Sequence, residues 1–197
     1  MKKYYTKDNK NYKDNQIVRH GIKRGKKRIS EYYKYSCDYI MEHLPNRETT
    51  LNMICLGTRN ENEKKMFDQL INKKNKIVDV KSLDIAKVSG ADFIMDFNTF
   101  PVDWGNKWDI IYSNSIDHTL DANDAFKEWV RILKPNGLLY LMFDMYDGLP
   151  TESDCCVFED GDVQKIINDN SSNITVILNK IFENENYNHV LIRKNEM

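Results

Sequence analysis

The sequence predicts an α/β fold: a doubly wound, mostly parallel seven-stranded sheet with an antiparallel C-terminal strand and helices on both faces. Three observations predict it. Apolar runs of strand length alternate with helix-period segments from Leu51 to Phe143. The first run, Met53-Ile-Cys-Leu56, is continuous rather than alternating, as in a strand buried on both faces, and it stops at Gly57. The last two runs, 174–181 and 187–193, are joined by the short link Glu183-Asn-Glu-Asn186, which makes them an antiparallel hairpin.

In chain order, residues 1–28 have few aliphatic side chains and no sustained period, and they read as an irregular basic arm ahead of one domain spanning 29–197. Ile29, Tyr32, Tyr33, Cys37, Ile40, Met41 and Leu44 then fall at helical spacing, giving a helix over 29–44 that Pro45 stops. After the strand that ends at Gly57, Glu61 and Glu63 open a helix with an apolar stripe of Met66, Phe67, Leu70 and Ile71. Lys73 and Lys74 close it, an arrangement of charge that suits the helix dipole. Strands over 77–84 and 91–96 each end in an aspartate, Asp84 and Asp96, and 108–114 forms the next strand. A helix over 122–133 buries Phe126, Trp129, Val130 and Leu133. Lys134-Pro-Asn-Gly137 ends it, since proline cannot continue a helix and Asn-Gly supplies positive φ. The strand 138–143 follows, then a polar connection through Gly148, Pro150 and Cys155-Cys156, and a short helix around Val163, Ile166 and Ile167.

With 197 residues, 41% of them hydrophobic, the chain can bury one full core. No apolar stretch approaches the roughly eighteen residues that span a bilayer, and the lysine-rich start lacks a signal peptide's apolar segment, so a soluble cytoplasmic protein is expected. Cys37, Cys55, Cys155 and Cys156 include no Cys-x-x-Cys pair, which suggests neither a metal site nor a disulfide framework. The net charge of −1 conceals a polarity: residues 1–34 hold twelve Lys and Arg against three acids, +9, which leaves −10 for the rest. A basic arm interleaved with Tyr4, Tyr5, Tyr12, Tyr32 and Tyr33 suits a nucleic-acid partner. It equally suits a solvated leader, or a segment lying over its own acidic domain.

The turn at Gly57 carries the chemistry. A strand that breaks at glycine and runs into a helix presents unpaired backbone N–H groups to an anionic ligand. A dinucleotide would want Gly-x-Gly-x-x-Gly there, but the chain has Gly57-Thr-Arg-Asn-Glu-Asn, without the second glycine that admits a pyrophosphate. Glu61 and Glu63 further oppose a doubly charged phosphate. A cofactor with one carboxylate and a cationic centre needs less room; Arg59 could meet its carboxylate, and S-adenosylmethionine meets the description.

These stretches resemble the class I S-adenosylmethionine-dependent methyltransferases, a Rossmann-like family, in their small type 11 form. The resemblance covers roughly 51–143 and rests on Ile54-Cys-Leu-Gly-Thr-Arg-Asn-Glu-Asn-Glu63, Leu83-Asp-Ile85, Ala91-Asp-Phe-Ile-Met-Asp-Phe97 with Phe100-Pro101, Trp108-Asp-Ile-Ile-Tyr-Ser-Asn-Ser115 and Arg131-Ile-Leu-Lys-Pro-Asn-Gly-Leu-Leu139. It implies that Gly57, flanked by Leu56 and Thr58, gives backbone access to the methionine moiety, and that Asp84, with Ile85 beside it, accepts the ribose hydroxyls. Asp96 would bond the adenine amino group, Phe97 would pack on the ring, and Ser113 and Asn114 would line the passage to the acceptor. Read from position alone, Asp84 and Asp96 could instead cap the segments that follow them. The first turn departs from the family's glycine-rich pattern at Arg59 and Asn60.

Methyl transfer needs alignment and, for a neutral acceptor, removal of a proton. His118, just past the strand 108–114, is the candidate base, with Asp117 as its orienter; the other reading is that His118 packs or caps the next helix. The motifs of nucleic-acid amino-adenine and cytosine C5 methyltransferases are absent after that strand. The expected function is therefore transfer of a methyl group to a small metabolite or sugar-like acceptor, with S-adenosylhomocysteine as product. A nucleic-acid methyltransferase using the basic arm and a non-catalytic partner-binding relative are the alternatives.

Overall fold

The structure, a computed structural model, describes residues 1–5, 11–21, 31–44, 50–58, 61–72, 78–145, 148–152, 154–182 and 187–196. Its strands are β1 (Lys2–Lys3), β2 (Leu51–Leu56), β3 (Val78–Asp84), β4 (Phe93–Ile94), β5 (Trp108–Ser113), β6 (Leu133–Asp144), β7 (Cys156–Val157), β8 (Ile174–Ile181) and β9 (Tyr187–Lys194). The helices are α1 (Asn11–Gly21), α2 (Glu31–His43), α3 (Asn62–Asn72), α4 (Ala122–Ile132) and α5 (Asp162–Asp169).

Seven strands form one sheet in the order β4-β3-β2-β5-β6-β9-β8, and β9 alone runs antiparallel to its neighbours. The expected doubly wound sheet is what forms. Because β3 and β4 extend the sheet on one side of β2 and β5 on the other, the chain reverses direction across the sheet between β2 and β5. The carboxyl ends of β2 to β5 therefore open onto one crevice, where such sheets bind ligands.

Alternation along the strands sends side chains into two cores. Ile54, Leu56, Ile111, Leu139 and Leu141 pack with Phe126, Trp129 and Val130 of α4 and with Val163 and Ile166 of α5. On the opposite face, Met53, Cys55, Ile110, Tyr112, Leu138 and Tyr140 pack with Cys37, Ile40 and Met41 of α2 and with Phe67 and Ile71 of α3. Each such aliphatic or aromatic side chain stabilises the fold by about 1.5–3 kcal/mol on burial. Asp121 starts α4 by accepting the N–H groups of Asn123 and Asp124 at 3.0 and 3.3 Å.

Three expectations are corrected. The N-terminal arm is not irregular throughout: α1 is a helix, and β1 pairs antiparallel with β7, Lys2 opposite Val157. Tyr12 and Gln16, one turn apart, are what α1 buries among the described side chains, too few to produce an apolar period. The strand expected over 91–96 shrinks to β4, because Asp92 turns back to accept the Ser82 N–H at 2.8 Å and Asp96 accepts the Asn98 N–H at 2.9 Å. Finally, Lys134-Pro-Asn-Gly137 ends α4, with the expected positive φ on Asn136 (62°), but continues as the start of β6. A Cβ on Gly137 would meet the Lys134 carbonyl oxygen at 2.8 Å, so close approach is what requires glycine there. Residues 22–30, 45–49 and 73–77, with Pro45, Lys73 and Lys74, lie outside the described residues. Among the described residues no helix is long and apolar enough to cross a membrane.

Candidate functional site

The last residue of β2 is followed by Gly57, whose φ of 78° suits glycine. Gly57 and Thr58 both donate their N–H to the Leu83 carbonyl, at 2.9 and 3.1 Å, so the turn is pinned to β3. Phe97 Cε1 would lie 3.1 Å from a Cβ placed on Gly57, which makes the glycine a cradle between two loops. Beside it, Thr58 Oγ1 is buried without a hydrogen-bond partner among the described residues. A buried orphan hydroxyl at the glycine turn fits a polar ligand group seated against it.

Asp84 ends β3 with no solvent exposure and accepts the Ala86 N–H at 2.7 Å. The Asp96 Oδ1 accepts the backbone N–H and the side-chain amide of Asn98, at 2.9 and 2.6 Å, while its Oδ2 stands 3.2 Å from Lys13 Nζ. Phe97 is held at both ends: its carbonyl accepts the Trp129 indole N–H at 2.8 Å, and its ring meets Trp129 edge-on at 5.8 Å. Gly57, Asp84, Ile85, Asp96 and Phe97 line a single cleft. Ser113, at the end of β5, is buried and donates its hydroxyl to the Leu56 carbonyl at 3.2 Å, and the Ser115 N–H donates to Ser113 Oγ, also at 3.2 Å. Asn114 lies between them, partly buried, and accepts a hydrogen bond from Ser115 Oγ at 3.1 Å. Leu56 is buried in the core beneath. Arg59 lies outside the described residues.

Two residues of the cleft escaped sequence reading: Tyr12 and Gln16 of α1 line it from above. The one signal for them was a tyrosine and a glutamine at helical spacing in an otherwise polar arm. Burial pushes the Tyr12 hydroxyl far above its ordinary range, so it stays a neutral donor.

A brace holds the cleft's outer wall. Asp92 accepts hydrogen bonds from the Ser82 N–H and hydroxyl, at 2.8 and 2.9 Å, and from Lys64 Nζ at 2.9 and 2.7 Å. Burial works to raise its pKa, but the bonds from Lys64 and Ser82 outweigh that and hold the carboxyl below the usual carboxylate range. Glu61, at a φ of 53°, accepts from Ser82 at 3.4 Å and so ties the start of α3 to the same brace.

His118 and Asp117 lie on a 3₁₀ turn, Ile116–His118, directly after β5. The His118 Nδ1 is 3.3 Å from Asp154 and its Nε2 is 3.9 Å from Asp117, so the closer carboxylate is one that sequence reading did not supply. Asp117, Asp144 and Asp154 share a cavity of about 200 Å³ with Leu149, Thr151, Cys156 and Val157. Burial pushes the Asp144 carboxyl up, the charges of Asp117 and Asp154 add to the effect, and His118 opposes it. Cys37, Cys55, Cys155 and Cys156 are buried and form no disulfide among the described residues.

Residues 65–141 match the family model described as a methyltransferase domain. No curated protein matches the sequence. Among solved structures, the methyltransferase (CMeT) domain of the citrinin polyketide synthase superposes with a TM-score of 0.64 at 12% identity, over 85% of this chain and 53% of that one, so this chain spans about half of that relative. Geranyl diphosphate C-methyltransferase from Streptomyces coelicolor A3(2), solved with Mg²⁺, geranyl diphosphate and S-adenosyl-L-homocysteine, gives 0.62 at 11% identity, over 94% of this chain and 98% of that one. The 1,6-didemethyltoxoflavin-N1-methyltransferase of Burkholderia thailandensis, solved with bound 1,6-didemethyltoxoflavin and S-adenosylhomocysteine, gives 0.61 at 11% identity, over 94% of this chain and 84% of that one. At these identities the structures share the fold. Residues 65–141 are thus similar to a methyltransferase domain, and the solved methyltransferase structures share the chain's fold.

Proposed function

We propose that the chain transfers the methyl group of S-adenosylmethionine to a small-molecule acceptor in the cytoplasm. The observation that carries this reading is the convergence of Gly57, Asp84, Ile85, Asp96 and Phe97 on one cleft at the carboxyl ends of β2 to β4. When bound, the cofactor supplies an electrophilic methyl group on a sulfonium. The chain's own residues bind and orient. Asp84 offers carboxylate oxygens to vicinal hydroxyls, Asp96 accepts from an amino group, Phe97 gives an apolar ring that Trp129 meets edge-on, and Thr58 offers a hydroxyl with no partner among the described residues. Arg59, on the same turn in sequence, stays the candidate partner for the carboxylate.

The cavity bounded by Asp117, Asp144 and Asp154 is the proposed acceptor site, with His118 at its edge as the base that takes the acceptor proton and Asp117 and Asp154 as its orienters. A small acceptor is supported by what the described part of the basic arm does. Lys3 pairs with Asp121, Lys13 with Asp96, and Tyr5 and Tyr12 are buried on the domain rather than presented to a nucleic acid.

The test is incubation with methyl-labelled S-adenosylmethionine and a cell extract resolved by size and nuclease sensitivity. Label in the low-molecular-weight fraction is the expected result. Label in a nuclease-sensitive fraction would overturn the small-molecule acceptor, and no label in any fraction would overturn the activity.

A further inference from the structure

The groups that would meet the cofactor are sealed from solvent. Asp84, Thr58 and Ser113 have no exposure, and over the cleft that Gly57, Asp84, Ile85, Asp96 and Phe97 line stand Tyr12 and Gln16 of α1, each 3% exposed. The contacts are directional. The Tyr12 hydroxyl donates to the His118 carbonyl and accepts from Asn98 Nδ2, both at 2.8 Å. Asn98 is the residue that also binds Asp96, and Lys13 adds its ion pair to the same carboxylate. Gln16 Nε2 donates to Cys155 Sγ at 3.2 Å. With these side chains in place the cleft leaves a volume of about 10 Å³, room for about one water and not for a nucleoside.

We propose that α1 is an occluding lid: Tyr12 and Gln16 stand where the cofactor binds, Lys13 compensates the charge of Asp96 in its absence, and binding displaces the helix. The inference rests on reading the cleft as the cofactor site. The helix is built to leave. It buries one aromatic ring and one amide, while its aliphatic residues Ile17 and Val18 stay 44% and 68% exposed, so little apolar surface holds it down. Its contacts reach Asp96 and Asn98 on one side and the His118 and Cys155 segments on the other, so the same movement uncovers the proposed acceptor side. Apparent affinity is then the affinity of the open state reduced by the fraction of molecules that are open.

Hydrogen exchange on the full chain with and without saturating S-adenosylhomocysteine tests this, together with calorimetry on a Tyr12→Ala/Gln16→Ala variant. The ligand should slow exchange in 51–58 and 84–97 while speeding it in 11–21, and the variant should bind about tenfold tighter or more than the parent. Slowed exchange in 11–21 together with weaker binding by the variant would overturn the proposal, making α1 a wall of the occupied site. No protection of 51–58 and 84–97 in either protein at millimolar ligand would instead show that the cofactor reading itself fails, and the lid with it.

Discussion

Gly57 and Ser115 approach so closely that a Cβ on Gly57 would stand 2.8 Å from both Cβ and Oγ of Ser115. The glycine turn and the loop after β5 are thus packed backbone against side chain, at a residue whose φ of 78° disfavours any Cβ. Gly57→Ala should lose about 2–4 kcal/mol of stability, from overpacking and backbone strain together. Urea denaturation measures it, and adding Ser115→Gly should recover only the overpacking share. A variant as stable as its parent would contradict the close approach.

Asp92 makes stability depend on acid. Its folded pKa is depressed, so its contribution is present above the ordinary aspartate value and is lost as pH falls through the lower folded value. Asp92→Asn should therefore cost about 1–2 kcal/mol at neutral pH, and the gap to the parent should close as the pH falls below about 4. Thermal unfolding across that range reads both. A gap that widens in acid would refute the brace.

Trp129 fixes the ring of Phe97 through its bond to the Phe97 carbonyl. Trp129→Phe leaves that carbonyl without its donor in a buried place and should destabilise the fold by about 1–3 kcal/mol, seen as a lower Tm.

His118→Gln should reduce kcat by about 10² to 10⁴ once an acceptor is identified, with S-adenosylhomocysteine affinity unchanged, since Tyr12 of α1 bonds the His118 backbone carbonyl, which the substitution keeps. Full activity in this variant would assign His118 to packing alone.

The strand ending at Gly57 was legible because a continuous apolar run broken by glycine has few other readings; Asp84 was legible as the end of β3, whereas Asp96 lies past the end of the short β4. Their convergence on one cleft needed the parallel order of β2, β3 and β4, which the βαβ alternation already implies. What the sequence hid is tertiary. The docking of α1 depends on Tyr12 meeting Asn98 and the His118 carbonyl, some 86 and 106 residues away, and no local period encodes such a contact. Asp154 was missed for the same reason: its nearness to His118 is created by the long connection after β6 folding back through β7 onto β1. The start of β6 was misread because Pro135 and Gly137 are turn residues by local rule, while pairing of Leu133 with Trp108 carries the chain through them as strand.

The most direct test is calorimetric titration of S-adenosylhomocysteine into the full chain, into its Tyr12→Ala/Gln16→Ala variant and into Asp84→Ala. Saturable one-to-one binding by the first two, weakened about tenfold or more by Asp84→Ala through loss of charged hydrogen bonds, is the expected result. Absence of binding by both the full chain and the Tyr12→Ala/Gln16→Ala variant, or binding that Asp84→Ala leaves untouched, would contradict the assignment of the cleft.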